Sequence, residues 1–345
     1  MIERPIRMTL SDVAREAGVS LATVDRVINR RPGVSSRSVV LVEQTLEKLG
    51  YTPDPFAVRL ARRSQQRFCF ILPAGNNTFM RMLADQVEQA RSWLAGERAV
   101  ADVIWTDVFD PAALARTLDG IDDSYEGVAV VALDHPMVRQ AIDDLDARGV
   151  SVVTLVSDVP GSRRAHFVGI DNSAAGRTAA TLLGRFAGGR AGPVAILAGS
   201  LSLRDHAERI CGFQQVLASE YPALEILPVR EGRDEAERCR GVVETLLAAH
   251  GRLVGVYNAG AGNRGIAEAL EGAGLAKDVI FVGHELTPHS RRFLMRGTMD
   301  AVINQDAGHE ARSAARVLMA GGLKQPIIAD QERIRIDIFV RDNLP

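Results

Sequence analysis

From Phe68 onward, short apolar runs alternate with longer segments of helical period, and no other feature of this sequence restricts its fold as tightly. Ten runs read as strands: FCFILPA (68–74), VADVIW (100–105), GVAVVAL (127–133), VSVVTLV (150–156), HFVGI (166–170), PVAIL (193–197), EILPV (225–229), RLVGVY (252–257), DVIFVG (278–283) and DAVIN (300–304). Helical segments lie between most of them, at 79–95, 136–148, 173–187, 204–219, 234–250 and 306–320. This α/β alternation predicts parallel sheets covered by helices on both faces. An open sheet holds roughly 4–6 strands, so the runs predict two lobes with a cleft between them. RIRIDIFV (333–340) alternates polar and apolar residues and reads as an edge strand.

Composition narrows the class. With 46% hydrophobic and 24% charged residues in 345, the chain can bury large cores, and global disorder is excluded. No window approaches a membrane-spanning apolar length, and MIERPIRMTL lacks a secretion signal. Cys69, Cys211 and Cys239 show no CxxC spacing, so neither a disulfide framework nor a zinc site is expected. A cytoplasmic protein without membrane or metal follows as the expectation. Charge is uneven: residues 1–67 hold 12 Lys and Arg against 7 Asp and Glu, and the remainder holds 29 against 36. A basic head on an acidic body predicts that the head meets a polyanion.

The first fifty residues read as three short helices. Thr9 caps the first, with Asp12 completing a variant capping box, and Gly18 stops it. Ser20 caps the second, which buries Val24, Val27 and Ile28. The third starts near Ser35, buries Val39, Val42, Leu46 and Leu49, and ends at Gly50. A helix, a Gly-containing turn and a second helix make a helix-turn-helix, whose second helix enters the major groove through its first residues. Those exposed residues are Leu21, Ala22, Asp25 and Arg26. Arg26 can reach guanine O6 and N7 with two hydrogen bonds, while Leu21 and Ala22 offer apolar contact to a thymine methyl. Ser20, Thr23 and Asn29 suit phosphates.

TLSDVAREAGVSLATVDRVINRRPGVSSRS, followed by LEKLGYTPDPFAVRLA, resembles the head of the LacI/GalR family of bacterial repressors over residues 9–63. The resemblance implies that Leu21, Ala22 and Arg26 read bases. It also implies that Phe56 to Arg63 is a hinge helix ordered on operator DNA, with Leu60 as the minor-groove wedge and Ala57 one turn earlier. An apolar wedge unstacks a base step and kinks the duplex, which is consistent with that role. Asp25 departs from the family, which usually has Ser there. A carboxylate near phosphates is repelled unless it pairs with Arg26 or accepts from a cytosine amine, so the family's operator sequence does not carry over.

The resemblance continues through LVSDVP (155–160), VGIDNSAAGRTAA (168–180), AGSLSLRDHAERICGF (198–213), VGHELTPHSRRFL (282–294) and VINQD (302–306). It implies a body of the periplasmic sugar-binding type, two Rossmann-like lobes joined by crossing strands. The expected organisation is a helix-turn-helix domain at 1–52 and a hinge and linker at 53–67. An N-terminal lobe would span 68–165 and 305–330, and a C-terminal lobe 166–304 and 331–345. By position the resemblance places Asp158, Arg209, Asn258, Glu285 and Gln305 around an effector cleft. Arg and carboxylate groups can each grip adjacent hydroxyls, and Asn and Gln offer donor and acceptor together. Phe79 or Phe167 could stack on a sugar ring. Asn76 and Asn77 either touch the ligand or form the turn before a helix. Asp171 and Asn172 read as the cap of the helix from Ser173.

Two motifs resemble other chemistries. Gly260-Ala261-Gly262-Asn263-Arg264-Gly265 is a literal GxGxxG after a strand and before a helix, which leaves an NAD- or sugar-converting enzyme fused to a DNA-binding head as the alternative. His284 and His289 are five apart and interrupted by Pro288, the wrong spacing for a zinc helix. Neither a GxSxG elbow nor a Walker A sequence is present, and no cofactor is expected. The expectation is a non-enzymatic homodimer that places two heads on a pseudo-palindromic operator, with a small sugar or polyol in the cleft altering lobe closure and hinge spacing.

Overall fold

A computed structural model describes residues 8–28, 32–51, 65–323 and 325–345. The chain divides into two compact units at 63/64.

The first unit holds α1 (Leu10–Glu16), α2 (Leu21–Ile28) and α3 (Ser36–Lys48). Each start has a side-chain cap. Thr9 Oγ1 accepts from the Asp12 amide at 3.3 Å while Asp12 Oδ2 accepts from the Thr9 amide at 3.0 Å, a complete capping box. Ser20 Oγ accepts from the Thr23 amide at 3.1 Å, and Ser35 Oγ from the Ser38 amide at 3.2 Å. Gly18, at φ +62°, supplies the left-handed residue after α1. Val13, Val24 and Val42 are fully buried and hold the three helices together, with Val39, Leu46 and Leu49 packed partly buried around them. The expected hinge over 56–63, with Ala57 and Leu60, and the phosphate candidate Asn29 lie outside the described residues.

The second unit contains two sheets. The first comprises β1 (Gln66–Pro73), β2 (Ala99–Thr106), β3 (Gly127–Val130), β4 (Ser151–Leu155) and β5 (His166–Val168), all parallel, in the order β2-β1-β3-β4-β5. The second comprises β6 (Gly192–Ala198), β7 (Leu224–Ile226), β8 (Arg230–Glu231), β9 (Gly255–Asn258), β10 (Ile280–His284), β11 (Ala301–Asn304) and β12 (Asp337–Phe339). Its order is β12-β11-β10-β9-β6-β7, with β8 also on β6, and β12 runs antiparallel to β11. Every expected strand run overlaps an observed strand. The edge strand expected over 333–340 shortens to β12.

Helices cover both sheets: α4 (Thr78–Gln89), α5 (Arg91–Gly96), α6 (Pro111–Asp119), α7 (Pro136–Ala147), α8 (Asn172–Ala187), α9 (Arg204–Glu220), α10 (Ala236–His250), α11 (Asn263–Gly272), α12 (Pro288–Arg296), α13 (Ala307–Leu323) and α14 (Ala329–Glu332). The helical segment expected over 79–95 breaks at Ala90 into α4 and α5. β1 shows why the runs look uniformly apolar. Phe68, Phe70 and Leu72 enter the core on one face, and Cys69 and Ile71 enter a second core on the other.

The chain passes between lobes three times. It leaves the first sheet after β5, returns after β11 to place α13 on β3, β4 and α4, and leaves again before β12. Two expected boundaries move. The first crossing falls after Val168 and not at 165/166, because β5 pairs with β4 in the register Val153↔His166 and Leu155↔Val168. The last falls after Glu332 and not at 330/331, because Glu332 is held to α13 by both carboxylate oxygens on Arg316, at 2.7 and 2.8 Å.

Candidate functional site

In the head, α2 turns Leu21, Ala22 and Arg26 outward, while Val24 and Val27 face the core. Leu21, 49% exposed, is a large apolar side chain in water at the start of a helix. Ser20 and Thr23 already bond each other, Oγ to Oγ1 at 2.9 Å, so the two hydroxyls form one polar corner at the N-terminus of α2.

In the second unit a cavity of about 750 Å³ opens between the lobes. Its walls come from the carboxyl ends of strands in both sheets, where crevices form in open α/β sheets. The first lobe contributes 73–80 after β1, 107–109 after β2 and Val156 after β4. The second contributes α9, the 233–237 and 260–264 segments, and the residues after β10 and β11.

Arg209 forms the floor. It is 2% exposed, and its Nε donates to Asn172 Oδ1 at 2.8 Å and its Nη1 to the Ala259 carbonyl at 3.0 Å. Nη2 lies 3.9 Å from Glu285 Oε1 and 4.0 Å from Asp205 Oδ2, and has no hydrogen-bond partner among the described residues. Its position depends on two glycines where α8 crosses α9. A Cβ on Gly176 would overlap the Arg209 carbonyl, and one on Gly212 would overlap that of Ser173. The glycines let the helices touch backbone to backbone, which sets Arg209 at this depth.

Glu285 follows β10 with φ +67°, and Val156 follows β4 with φ +65°. Non-glycine residues rarely adopt this conformation, β-branched ones least of all. Both line the cavity, one in each lobe. Glu285 is held there by its amide donating to the Ile303 carbonyl at 2.9 Å and by Gln305 Nε2 donating to its Oε1 at 2.8 Å. Burial pushes its carboxyl up to about 7, with Arg209 opposing the shift. Burial, reinforced by the charge of Glu285, also holds Glu310 on α13 well above the ordinary carboxyl range. Beneath the floor, Phe213 stacks on Tyr257 with centroids 4.3 Å apart, and Tyr257 Oη bonds His284 Nε2 at 2.9 Å.

Of the residues selected from sequence, Arg209, Glu285, Gln305, Asn76, Asn77 and Phe79 line the cavity. Asn77 does so as a cap: its Oδ1 accepts from the Phe79 amide at 3.0 Å, and its Nδ2 donates across the cleft to Asp234 Oδ2 at 3.3 Å. Asp158 and Asn258 do not line it. The Asp158 carboxylate is taken up by Arg164, by Thr154 Oγ1 at 2.6 Å and by the Val159 amide at 2.8 Å. Burial raises its carboxyl, but these bonds outweigh it and hold it below the ordinary range. Asn258 Nδ2 donates to Gly260 and Ala261 carbonyls and to Asn263 Oδ1, shaping the wall from behind. Phe167 also stays outside the wall and packs on Gly169. Asp171, as expected, caps α8, accepting from the Ala174 amide at 2.8 Å.

The sequence reading missed Asp205, His206, Asp234 and Phe109, all of which line the cavity. Asp205 stands four residues before Arg209, on the same helix face, and that spacing was the available signal. The GxGxxG segment is explained by packing. A Cβ on Gly265 would overlap the Ala236 carbonyl where α11 meets α10, and one on Gly260 would lie 2.6 Å from Asp234 Oδ1.

Fold and cleft define a two-lobed binding-protein body preceded by a helix-turn-helix unit. Comparison with known families agrees for both parts: residues 68–322 match the periplasmic binding protein domain, and residues 9–54 match the bacterial regulatory proteins of the lacI family. The chain belongs over most of its length to the periplasmic binding protein domain family and carries a lacI-family head in front of it. It is 41% identical over 83 residues to catabolite control protein A of Priestia megaterium, covering 24% of this chain and 25% of that one. It is 38% identical over 81 residues to the sucrose operon repressor of Lactococcus lactis subsp. lactis, covering 24% and 26%. These matches span about a quarter of the relatives' length. Among solved structures, the glucose-galactose binding protein GanP of Geobacillus stearothermophilus aligns with a TM-score of 0.74 at 21% identity, over 82% of this chain and 100% of that one, and shares the fold.

Proposed function

We propose that this chain is a sequence-specific DNA-binding transcriptional regulator, a repressor, whose operator affinity is set by a small ligand of the sugar or polyol class in the interlobe cleft. The observation that carries the reading is the union, in one chain, of a lacI-type head exposing Leu21, Ala22 and Arg26 with a body enclosing Arg209, Glu285 and Gln305 in a polar cleft. A relative named as a sucrose operon repressor and a fold neighbour named as a glucose-galactose binding protein support the two halves. In this reading Arg26 reads a guanine, Leu21 and Ala22 contact thymine methyls, and Ser20, Thr23 and Asn29 hold phosphates. Ala57 and Leu60 enter the minor groove at the centre of the site. Two chains act together as a homodimer, because one short reading helix covers too few bases, and they do so in the cytoplasm. Arg209, Glu285 and Gln305 grip hydroxyls, and Phe79 supplies the apolar wall.

Random-site DNA selection with the full chain tests this. One pseudo-palindromic consensus is expected, with Arg26→Ala costing about 1–3 kcal/mol on that site and relaxing one base position. Salt-sensitive binding without any consensus, with or without a sugar library, would refute it.

A further inference from the structure

The buried wall of the cleft is short of positive charge and of hydrogen-bond donors. Among the described residues, Asp205 Oδ1, Glu285 Oε2, Gln305 Oε1 and both oxygens of Glu310 are buried without a hydrogen-bond partner. All four residues are more than nine-tenths buried. The Gln305 amide cannot turn round to relieve this, because its Nε2 is committed to Glu285 Oε1. Against five open acceptor atoms, Arg209 Nη2 is the one open position nearby that is a donor in every protonation state; His284 Nδ1 takes either role. The imbalance extends to the mouth, where six carboxylate residues line the cavity and three arginines do.

Buried carboxylates without counter-charge must take a proton or meet a cation. The empty cleft meets the deficit with protons: burial lifts Glu285 to about 7 and Glu310 further. A metal ion is a poor fit, since no cluster of three or more His, Cys, Asp or Glu among the described residues could hold one. An ammonium fits, having three donors when primary or two when in a ring, and no acceptor, against open acceptors on Asp205, Glu285 and Gln305. We propose, building on the effector reading of this cleft, that the natural ligand is a polyhydroxylated amine, an amino sugar or iminosugar, whose ammonium sits among Glu285, Gln305 and Asp205 while a hydroxyl accepts from Arg209 Nη2. Glu310 does not line the cavity, and burial keeps its carboxyl protonated behind the ammonium position.

A pH dependence follows. The ligand's ammonium takes the place of the proton on Glu285, so affinity rises as pH rises toward about 7. The groups acting on Glu285 are Arg209 and Asp205 from α9 and Gln305 and Glu310 from the α13 side; behind them His206 lies against Asp205, Asp306 acts on Glu310, and Tyr257 bonds His284, the residue before Glu285. Of these, Arg209 carries a permanent positive charge.

Isothermal titration of the full chain with D-glucosamine, D-galactosamine and 1-deoxynojirimycin, beside neutral D-glucose and D-galactose, decides the matter. For the best pair the amine is expected to bind about tenfold tighter than its neutral parent, and tighter at about pH 7 than at about pH 5.5. Glu285→Gln, which keeps shape and removes the charge that meets the ammonium, is expected to weaken the amine about tenfold more than it weakens the neutral sugar. Equal or tighter binding of the neutral sugars overturns the inference while leaving the cleft a sugar site. Failure of every amine to bind also overturns it, and the DNA selection then reports separately on the regulator reading.

Discussion

Glu285 shows how one residue carries two strains at once. Its left-handed backbone costs on the order of 1–3 kcal/mol, and its buried carboxyl favours the proton. The carboxyl is raised in the folded state from 4.5 to about 7, so the folded chain binds that proton more tightly than the unfolded chain does. Its contribution to stability is therefore complete below about pH 4.5 and is lost as pH rises through about 7. Glu285→Gln should remove that slope: urea unfolding of the ligand-free protein should show the wild type losing up to about 3 kcal/mol relative to the variant across this window. Parallel stability profiles for the two proteins would mean that Glu285 titrates normally. Arg209 presents the converse case, a guanidinium whose Nε and Nη1 are held by Asn172 and Ala259 while Nη2 stays open toward the cleft. Arg209→Lys keeps the charge but cannot make both bonds, so effector affinity should fall by tenfold or more, on the order of 2 kcal/mol, measured by the same titration.

At the scale of elements, the site rests on how closely α8 and α9 cross. Gly176 and Gly212 bring their backbones into contact, and any side chain at Gly176 must push α9 outward. Gly176→Ala should cost about 1–3 kcal/mol and also weaken the effector, because Arg209 rides on the displaced helix. A stability loss with unchanged affinity would detach Arg209 from the crossing. In the head, Thr9 closes a reciprocal capping box with Asp12. Thr9→Ala should destabilise the head by about 1 kcal/mol, seen as an earlier thermal transition of the head and weaker operator binding at all base positions alike. Loss at one base position only would point to a direct contact.

Across the whole second unit, closure depends on a few weak contacts. Asn77 meets Asp234 at 3.3 Å, Arg204 meets Asp134 at 3.5 Å, and the Arg233 guanidinium lies 5.5 Å from the Phe109 ring centre. Half-exposed pairs of this kind contribute roughly 0–1 kcal/mol each. Leu203 does more, since it reaches from the second lobe into the apolar core of the first. Leu203→Ala should therefore shift the ligand-free protein toward an open cleft, read as a larger radius of gyration by X-ray scattering that effector restores. An unchanged radius would mean that the crossing segments alone set closure. A closure bridged by such contacts can be tilted only by a ligand with different affinity for the open and closed forms. If operator and effector act on the same equilibrium, operator must change effector affinity by the factor with which effector changes operator affinity. Titration with and without operator reads that factor, and equal affinities would separate head from cleft.

Periodicity and cap chemistry are local, and they alone determined the ten strand positions, the three head helices with Thr9, Ser20 and Ser35 at their starts, and the two-lobed plan. The family resemblance was enough to select Arg209, Glu285 and Gln305 for the cleft, and Glu285 also follows a strand end, where crevices form in open α/β sheets. Asp158 was selected by the same resemblance, yet Arg164, six residues on, takes its carboxylate once the chain turns at Val156. Asp205 and His206 could have been read from their helix face, but Asp234 and Phe109 come from segments over a hundred residues apart, and nothing local marks them as neighbours. The placing of β5 with the first sheet and of Glu332 with α13 was likewise decided by pairing across distance. Tertiary structure alone left five buried acceptors facing one arginine, because only packing determines which polar groups lose water and which find partners.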